Sequence, residues 1–361
     1  MNDRLRKTLI LTVSGLVVAG IIVLQFFAPK DLTRTIKPKG IMGTTCEITV
    51  FAKATNHNAC FEGLEDIDRV LRSAEVVMSA KMEPSMLSRI NAAPGGVTFD
   101  CPPHLMEVLT AARNAHLDSD GAFDVTIGPL LDLWKLAGRG DVLPSDTEIQ
   151  AARDASSWAD FGISGNKFTK RRTTAQLDLG GIAKGYAIDQ AVEAILRYRP
   201  EGGFIDVGGD LRFFGYNPNG PDWTVKVQHP FDPDTLLGVI HVDGGAVCTS
   251  GNYARYVTIE GKRFSHIIDP RTGMPTRVSP SVTVLAPTAM QADVWATALS
   301  VLGPDALTRD DNGDMLLPDG VEAMILLGDE TNFELVMTDG FAERFVATDT
   351  PEALPEEAPA E

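Results

Sequence analysis

Residues 46–51 alternate with a period of two, Cys46, Ile48 and Val50 against Glu47 and Thr49, which predicts a strand with one face buried. The period then lengthens. Leu64, Ile67, Leu71 and Ala74 recur at helical spacing within 61–77, and residues 105–115 repeat the pattern after Pro102 and Pro103. Leu130, Leu133, Trp134 and Leu136 predict a short helix over 129–140, stopped by Gly138 and Gly140. Beyond Gln176 the two periods mix: strands over 176–179, 204–207, 211–214, 223–227 and 239–242, and a helix over 182–197. Thr288 and Gln291 form a capping box that opens a further helix, and strands over 321–327 and 333–337 and at Phe345 close the pattern. Strands broken by isolated helices predict an α+β fold rather than a doubly wound parallel sheet.

One stretch fits neither period. Residues 9–28 carry no charge and follow Arg4, Arg6 and Lys7, close to the ~20 residues a helix needs to cross a bilayer. We read 1–30 as an uncleaved signal-anchor, because Phe26, Phe27 and Pro29 spoil the small-residue pattern of a cleaved secretory signal. Orientation stays open at this point, since Lys30, Arg34, Lys37 and Lys39 beyond the span nearly cancel the charge bias before it. Residues 31–39 read as a linker, and 348–361, rich in Pro, Ala and Glu, as an acidic disordered tail.

The 361-residue chain is 44% hydrophobic and 22% charged, within the globular range. Its formal charge of −17, from 32 Lys plus Arg against 49 Asp plus Glu, argues against nucleic acid, which requires clustered cations. Cys46, Cys60, Cys101 and Cys248 contain no C-x-x-C pair, so zinc and thioredoxin-like chemistry lack support. Four cysteines allow three disulfide pairings and the spacing selects none; buried thiols serve equally well. The G-x-S-x-G, H-E-x-x-H and G-x-G-x-x-G signatures are absent.

Three segments carry candidate chemistry. In Leu177-Asp178-Leu179-Gly180-Gly181-Ile182-Ala183-Lys184-Gly185-Tyr186 a strand passes through paired glycines into a helix, presenting free backbone N–H groups and a first-turn lysine to an anion. An ordinary glycine turn with a surface lysine reads the same way. Asp293 and Thr297, four apart on one helical face in an otherwise apolar stretch, are hard oxygen ligands suited to Mg²⁺ or Ca²⁺; an exposed carboxylate near a helix start is the plainer reading. His266 precedes the turn Asp269-Pro270-Arg271-Thr272-Gly273, where a histidine serves either as general base or as a structural ring.

Taken in order, Met42-Gly43-Thr44, Gly121-Ala122-Phe123-Asp124, residues 177–186, Gly208-Gly209-Asp210, Thr249-Ser250-Gly251, residues 266–273 and residues 292–303 resemble the ApbE family of FAD:protein FMN transferases. The resemblance implies a T-fold-related α+β domain over 40–347, on the outer, periplasmic side of the cytoplasmic membrane, with FAD as substrate. By motif, Met42, Ala122, Phe123, Asp124, Asp178, Lys184, His266 and Ile268 would contact FAD. Asp293, Thr297 and the carbonyls of Gly181 and Ala296 would hold Mg²⁺. FMN would pass from FAD to a Thr or Ser hydroxyl of an acceptor, a subunit of a membrane redox complex, with AMP released, His266 as base and Lys184 assisting. A Mg²⁺-dependent FAD pyrophosphatase and a non-catalytic FAD-binding protein are the alternatives. Departures from the family pattern fall elsewhere: Lys81 stands where a flavin-stacking Tyr is usual, Asp206 where an Asn is usual, and Asn252 where an Asp is usual.

Overall fold

The computed structural model describes residues 32–348 except 233, 252–255, 277–278, 310–312 and 314. The expected span at 9–28 and the tail from 349 lie outside the described residues, as does Asn252. Among those described, no helix is long and apolar enough to cross a membrane.

Eight strands form the central sheet: β1 (Leu32–Ile36), β2 (Cys46–Ala52), β3 (Gly202–Val207), β4 (Asp210–Gly215), β5 (Ala246–Gly251), β6 (Ser281–Ala286), β7 (Glu322–Gly328) and β8 (Phe333–Met337). They lie side by side in chain order and every neighbouring pair is antiparallel. Sequential antiparallel strands need no crossover. Helices among the described residues fill excursions between neighbours, except for one turn that follows β8. They are α1 (His57–Met78), α2 (Met86–Ala92), α3 (Pro103–Asp118), α4 (Gly128–Gly140), α5 (Asp146–Asp154), α6 (Ala183–Leu196), α7 (Ala289–Leu302) and the single turn α8 (Asp339–Ala342).

Both faces of the sheet are covered, which explains why all six positions of β6 are buried rather than alternating with exposed ones. Because side chains alternate along a strand, Cys248, Val282, Val284, Ala323 and Ile325 point to one face, into a core shared with α1, α6 and α7. Their neighbours Val247, Leu285, Met324 and Leu326 point to the other. There they meet Trp223, Val225 and Ile240 of a three-stranded sheet built from Trp223–Gln228, Leu236–Val242 and Phe345–Ala347. Each large apolar side chain buried there contributes roughly 1.5–3 kcal/mol, and the buried Thr283 is accommodated by its hydroxyl pairing with Thr249 at 3.0 Å.

Two expectations change. The supposed linker contains β1, which pairs with β2 from Leu32↔Ala52 to Ile36↔Ile48, so the domain begins earlier than residue 40. The strand expected over 176–179 does not form; its only ladder contact is an isolated bridge between Gln176 and Ile127. Gln176, Leu177, Asp178 and Leu179 alternate polar and apolar as a strand would, yet no strand among the described residues lies alongside. The four cysteines are buried free thiols, none in a disulfide.

Candidate active site where two helix starts meet

The N-termini of α6 and α7 are packed against each other, and each is capped by a carboxylate from the other. Gly185 N–H, in the first turn of α6, donates to Asp293 Oδ2 of α7 at 3.1 Å. In return, Asp189 of α6 accepts from Ala289 N and Met290 N of α7, both at 2.9 Å. These are first-turn donors with no partner inside their own helix. Thr288 adds the local cap, its Oγ1 accepting from Gln291 N at 3.2 Å, as the capping box predicts. Such an approach requires glycine: a Cβ on Gly185 would lie 2.3 Å from the Ala289 carbonyl oxygen.

Lys184 stands at this junction between two carboxylates. Its Nζ donates to Asp210 at the start of β4 and lies 3.4 Å from Asp293 Oδ1. Asp210 and Asp293 are only 3% and 4% exposed, so both anions have left water. Burial opposes the charge on Lys184, but the two carboxylates outweigh it and hold the ammonium's pKa above its ordinary value. Burial pushes the Asp293 carboxyl up to about 6, against the pull of Lys184. Lys184 Nζ and Gly185 N are the groups on this carboxylate, and Thr297, one turn along α7, adds a hydroxyl oxygen of the kind a hard cation takes. The main-chain atoms of Gly181 sit against Thr297, since a Cβ at Gly181 would lie 2.8 Å from Thr297 Oγ1. Ala296 is buried, its carbonyl accepting from Ser300 Oγ at 2.8 Å. Asp293, Thr297, Gly181 and Ala296 thus fit a hard cation such as Mg²⁺.

The other expected residues surround this centre. A Cβ at Gly181 would also meet the Phe123 ring at 3.2 Å, which places the Gly121–Asp124 turn beside the glycine turn. Asp178 N–H donates to Val125 O at 2.8 Å, and Asp178 Oδ1 accepts from Gly180 N at 2.8 Å. Asp124 accepts from Thr126 N at 2.7 Å and lies 3.2 Å from His116 Nδ1; that carboxylate raises the His116 pKa. Met42 has φ 46°, in the left-handed region, and its N–H donates to Glu75 Oε2 at 3.0 Å. The turn after it reaches the centre indirectly, since Thr44 packs on Gly208, two residues before Asp210.

His266 is exposed, next to Ile267, which packs with Ala122 and Val301. Ile268 instead points into a separate cluster with Leu130, Trp134 and Phe264, so only its main chain is left to face a ligand. Lys81 is exposed on the turn before α2. Thr249, Ser250 and Gly251 are the end of β5.

Sequence reasoning gave no role to Asp210 or Asp189. Asp189 shares its helix with Gln190 and Glu193, so nothing in the local pattern set it apart as Asp293 was set apart. For Asp210 there was no signal either, because its partner Lys184 is 26 positions away.

The ApbE family model matches residues 42–315. This chain belongs to the ApbE family. Among curated relatives, an FAD:protein FMN transferase of Vibrio cholerae is 35% identical over 245 residues, 66% of this chain and 73% of that one. That of Escherichia coli K12 is 32% identical over 254 residues, 67% and 71% of the two chains. Of solved structures, the flavin transferase ApbE from Vibrio cholerae has a TM-score of 0.75 at 28% identity, covering 87% of this chain and 100% of that one. The apo form of the Pseudomonas stutzeri flavinyl transferase ApbE gives 0.75 at 30% identity, covering 88% and 98%. The family and its α+β fold therefore agree, and the chain is a transferase.

Proposed function

We propose that this ApbE-family chain is a Mg²⁺-dependent FAD:protein FMN transferase that moves FMN from FAD to a Thr or Ser hydroxyl of an acceptor protein and releases AMP. The observation that carries the reading is the junction of α6 and α7, where a lysine and two buried carboxylates converge on a glycine turn. Mg²⁺, held by Asp293, Thr297 and the carbonyls of Gly181 and Ala296, would supply charge neutralisation at the pyrophosphate.

The remaining work belongs to the chain itself. The backbone N–H groups of the glycine turn and the start of α6 receive the pyrophosphate, and Lys184 adds a cation that its two carboxylates keep protonated. Met42, the Ala122-Phe123-Asp124 turn, Asp178 and the Ile268 main chain hold the rest of FAD. His266, exposed on its turn, accepts the proton of the acceptor hydroxyl. The hydroxyl oxygen then bonds to the FMN-side phosphorus as the bridging P–O bond breaks, and AMP carries away the electron pair. The acceptor is a subunit of a membrane redox complex. The T-fold-related domain would face the periplasm, tethered by an anchor within residues 1–30.

Incubating the purified chain with FAD, Mg²⁺ and a Thr-bearing acceptor tests this directly. The expected result is a fluorescent acceptor band and one AMP per flavin transferred. Free FMN with an unlabelled acceptor would make the chain an FAD pyrophosphatase, and bound FAD without turnover would make it a flavin-binding protein. For the anchor, removal of residues 1–30 should release the protein from the membrane fraction; release of the intact chain by carbonate wash would defeat that part.

A further inference from the structure

Lys170 is the most deeply buried charged side chain among the described residues, at 0% exposure. It ends the strand Lys167–Lys170, in a small sheet outside the central one. Its Nζ donates to the Asn91 carbonyl at 2.6 Å. That carbonyl lies in the last turn of α2, where unpaired oxygens and the helix dipole favour a cation. Burial still lowers the Lys170 pKa. An ammonium withdrawn from water at that cost is explained best by what its partner does.

Asn91 turns its side chain onto the backbone of Leu177. Asn91 Nδ2 donates to Leu177 O at 2.8 Å, and Leu177 N donates to Asn91 Oδ1 at 2.9 Å. The amide thus takes the place of the neighbouring strand that residues 176–179 lack. From there the backbone is secured step by step, Asp178 N to Val125 O and Gly180 N to Asp178 Oδ1, until it reaches Gly181 and Lys184.

We propose that Asn91 and Lys170 are positioning residues for the phosphate-facing turn: Lys170 fixes the end of α2, Asn91 fixes Leu177, and together they set where Gly181 and Lys184 meet the pyrophosphate. The inference rests on the flavin-transferase reading above. Neither residue is among those assigned above to FAD.

The test compares the full chain with Asn91→Ala, Lys170→Met and the double variant, measuring FAD affinity by fluorescence quenching, kcat and KM for FAD, and Tm. Misplacing the turn should lower kcat/KM on the order of 10–100-fold in Asn91→Ala. Lys170→Met should fall about threefold to tenfold while Tm holds or rises, because methionine fills the space without a buried charge. A lysine that serves stability alone would show the reverse. The double variant should match Asn91→Ala within about twofold, since the two act in series. Should Asn91→Ala not fold, Asn91→Asp, which keeps the acceptor for Leu177 N–H, should give an intermediate loss. Wild-type affinity and kcat/KM in folded variants, or losses that multiply in full, would overturn the proposal. Absence of FAD binding by the unmodified chain would instead overturn the flavin reading beneath it.

Discussion

Around Lys184 the carboxylates are buried and shared between helices and strand, whereas Lys81 and His266 sit on exposed turns. In the first region each polar group is fixed by a residue far away in sequence: Lys184 by Asp210, Gly185 by Asp293, Ala289 by Asp189. In the second, Lys81 N–H reaches Ser79 Oγ at 3.3 Å, and Ile267 N, next to His266, donates to Ser265 Oγ at 2.9 Å. On the proposed reaction, the rigid region serves the pyrophosphate, common to every FAD, and the exposed one serves the flavin ring and the acceptor. Preorganised charge belongs on rigid elements, and recognition tolerates variation on turns.

The comparison breaks most sharply at Asp293. Asp293→Ala should cut FMN transfer on the order of 10³-fold, assayed at saturating Mg²⁺ by acceptor fluorescence; undiminished turnover would remove the metal assignment. His266→Ala should cost about 10²-fold in kcat with at most a small change in Tm, since the residue is exposed. A large Tm drop would move His266 from the exposed region to the structural one. Restoring the aromatic with Lys81→Tyr should tighten FAD several-fold, in line with ~0.5–1.5 kcal/mol for an aromatic pair, read by flavin quenching. Equal affinity would show that this turn does not face the flavin.

The smallest effect concerns His116 beside Asp124. Because the carboxylate raises the folded pKa of His116, the pair's stabilisation is complete below the unfolded value of about 6.5 and is lost as pH rises through the folded one. Wild type should therefore lose under about 1 kcal/mol relative to His116→Asn between pH 6 and 8, measured by denaturant unfolding. Parallel pH profiles would mean the pair is not closed in solution.

Much of the fold was legible because burial imposes a period. The strand over 46–51 and the helices over 61–77, 105–115 and 182–197 were read from spacing within a residue or a few of their observed limits. The segment 176–179 misled for the same reason: its side chains have a strand's pattern, but pairing depends on a neighbour, and Asn91 replaces it. Residues 31–39 misled in the other direction, since an edge strand with exposed side chains has no apolar period.

By itself the sequence determined the element types, the glycine turn with Lys184, and the anomaly of Asp293 in an apolar helix, because these follow from local geometry and the cost of burying charge. The resemblance joined them into one expected site. Only the tertiary structure decided that α6 and α7 cap one another, that Asp210 shares Lys184, and that Lys170 and Asn91 lie behind the turn. Those contacts join positions from 26 to 109 residues apart. They exist because the sheet's antiparallel order brings distant excursions to one place, and no periodicity along the chain records that meeting.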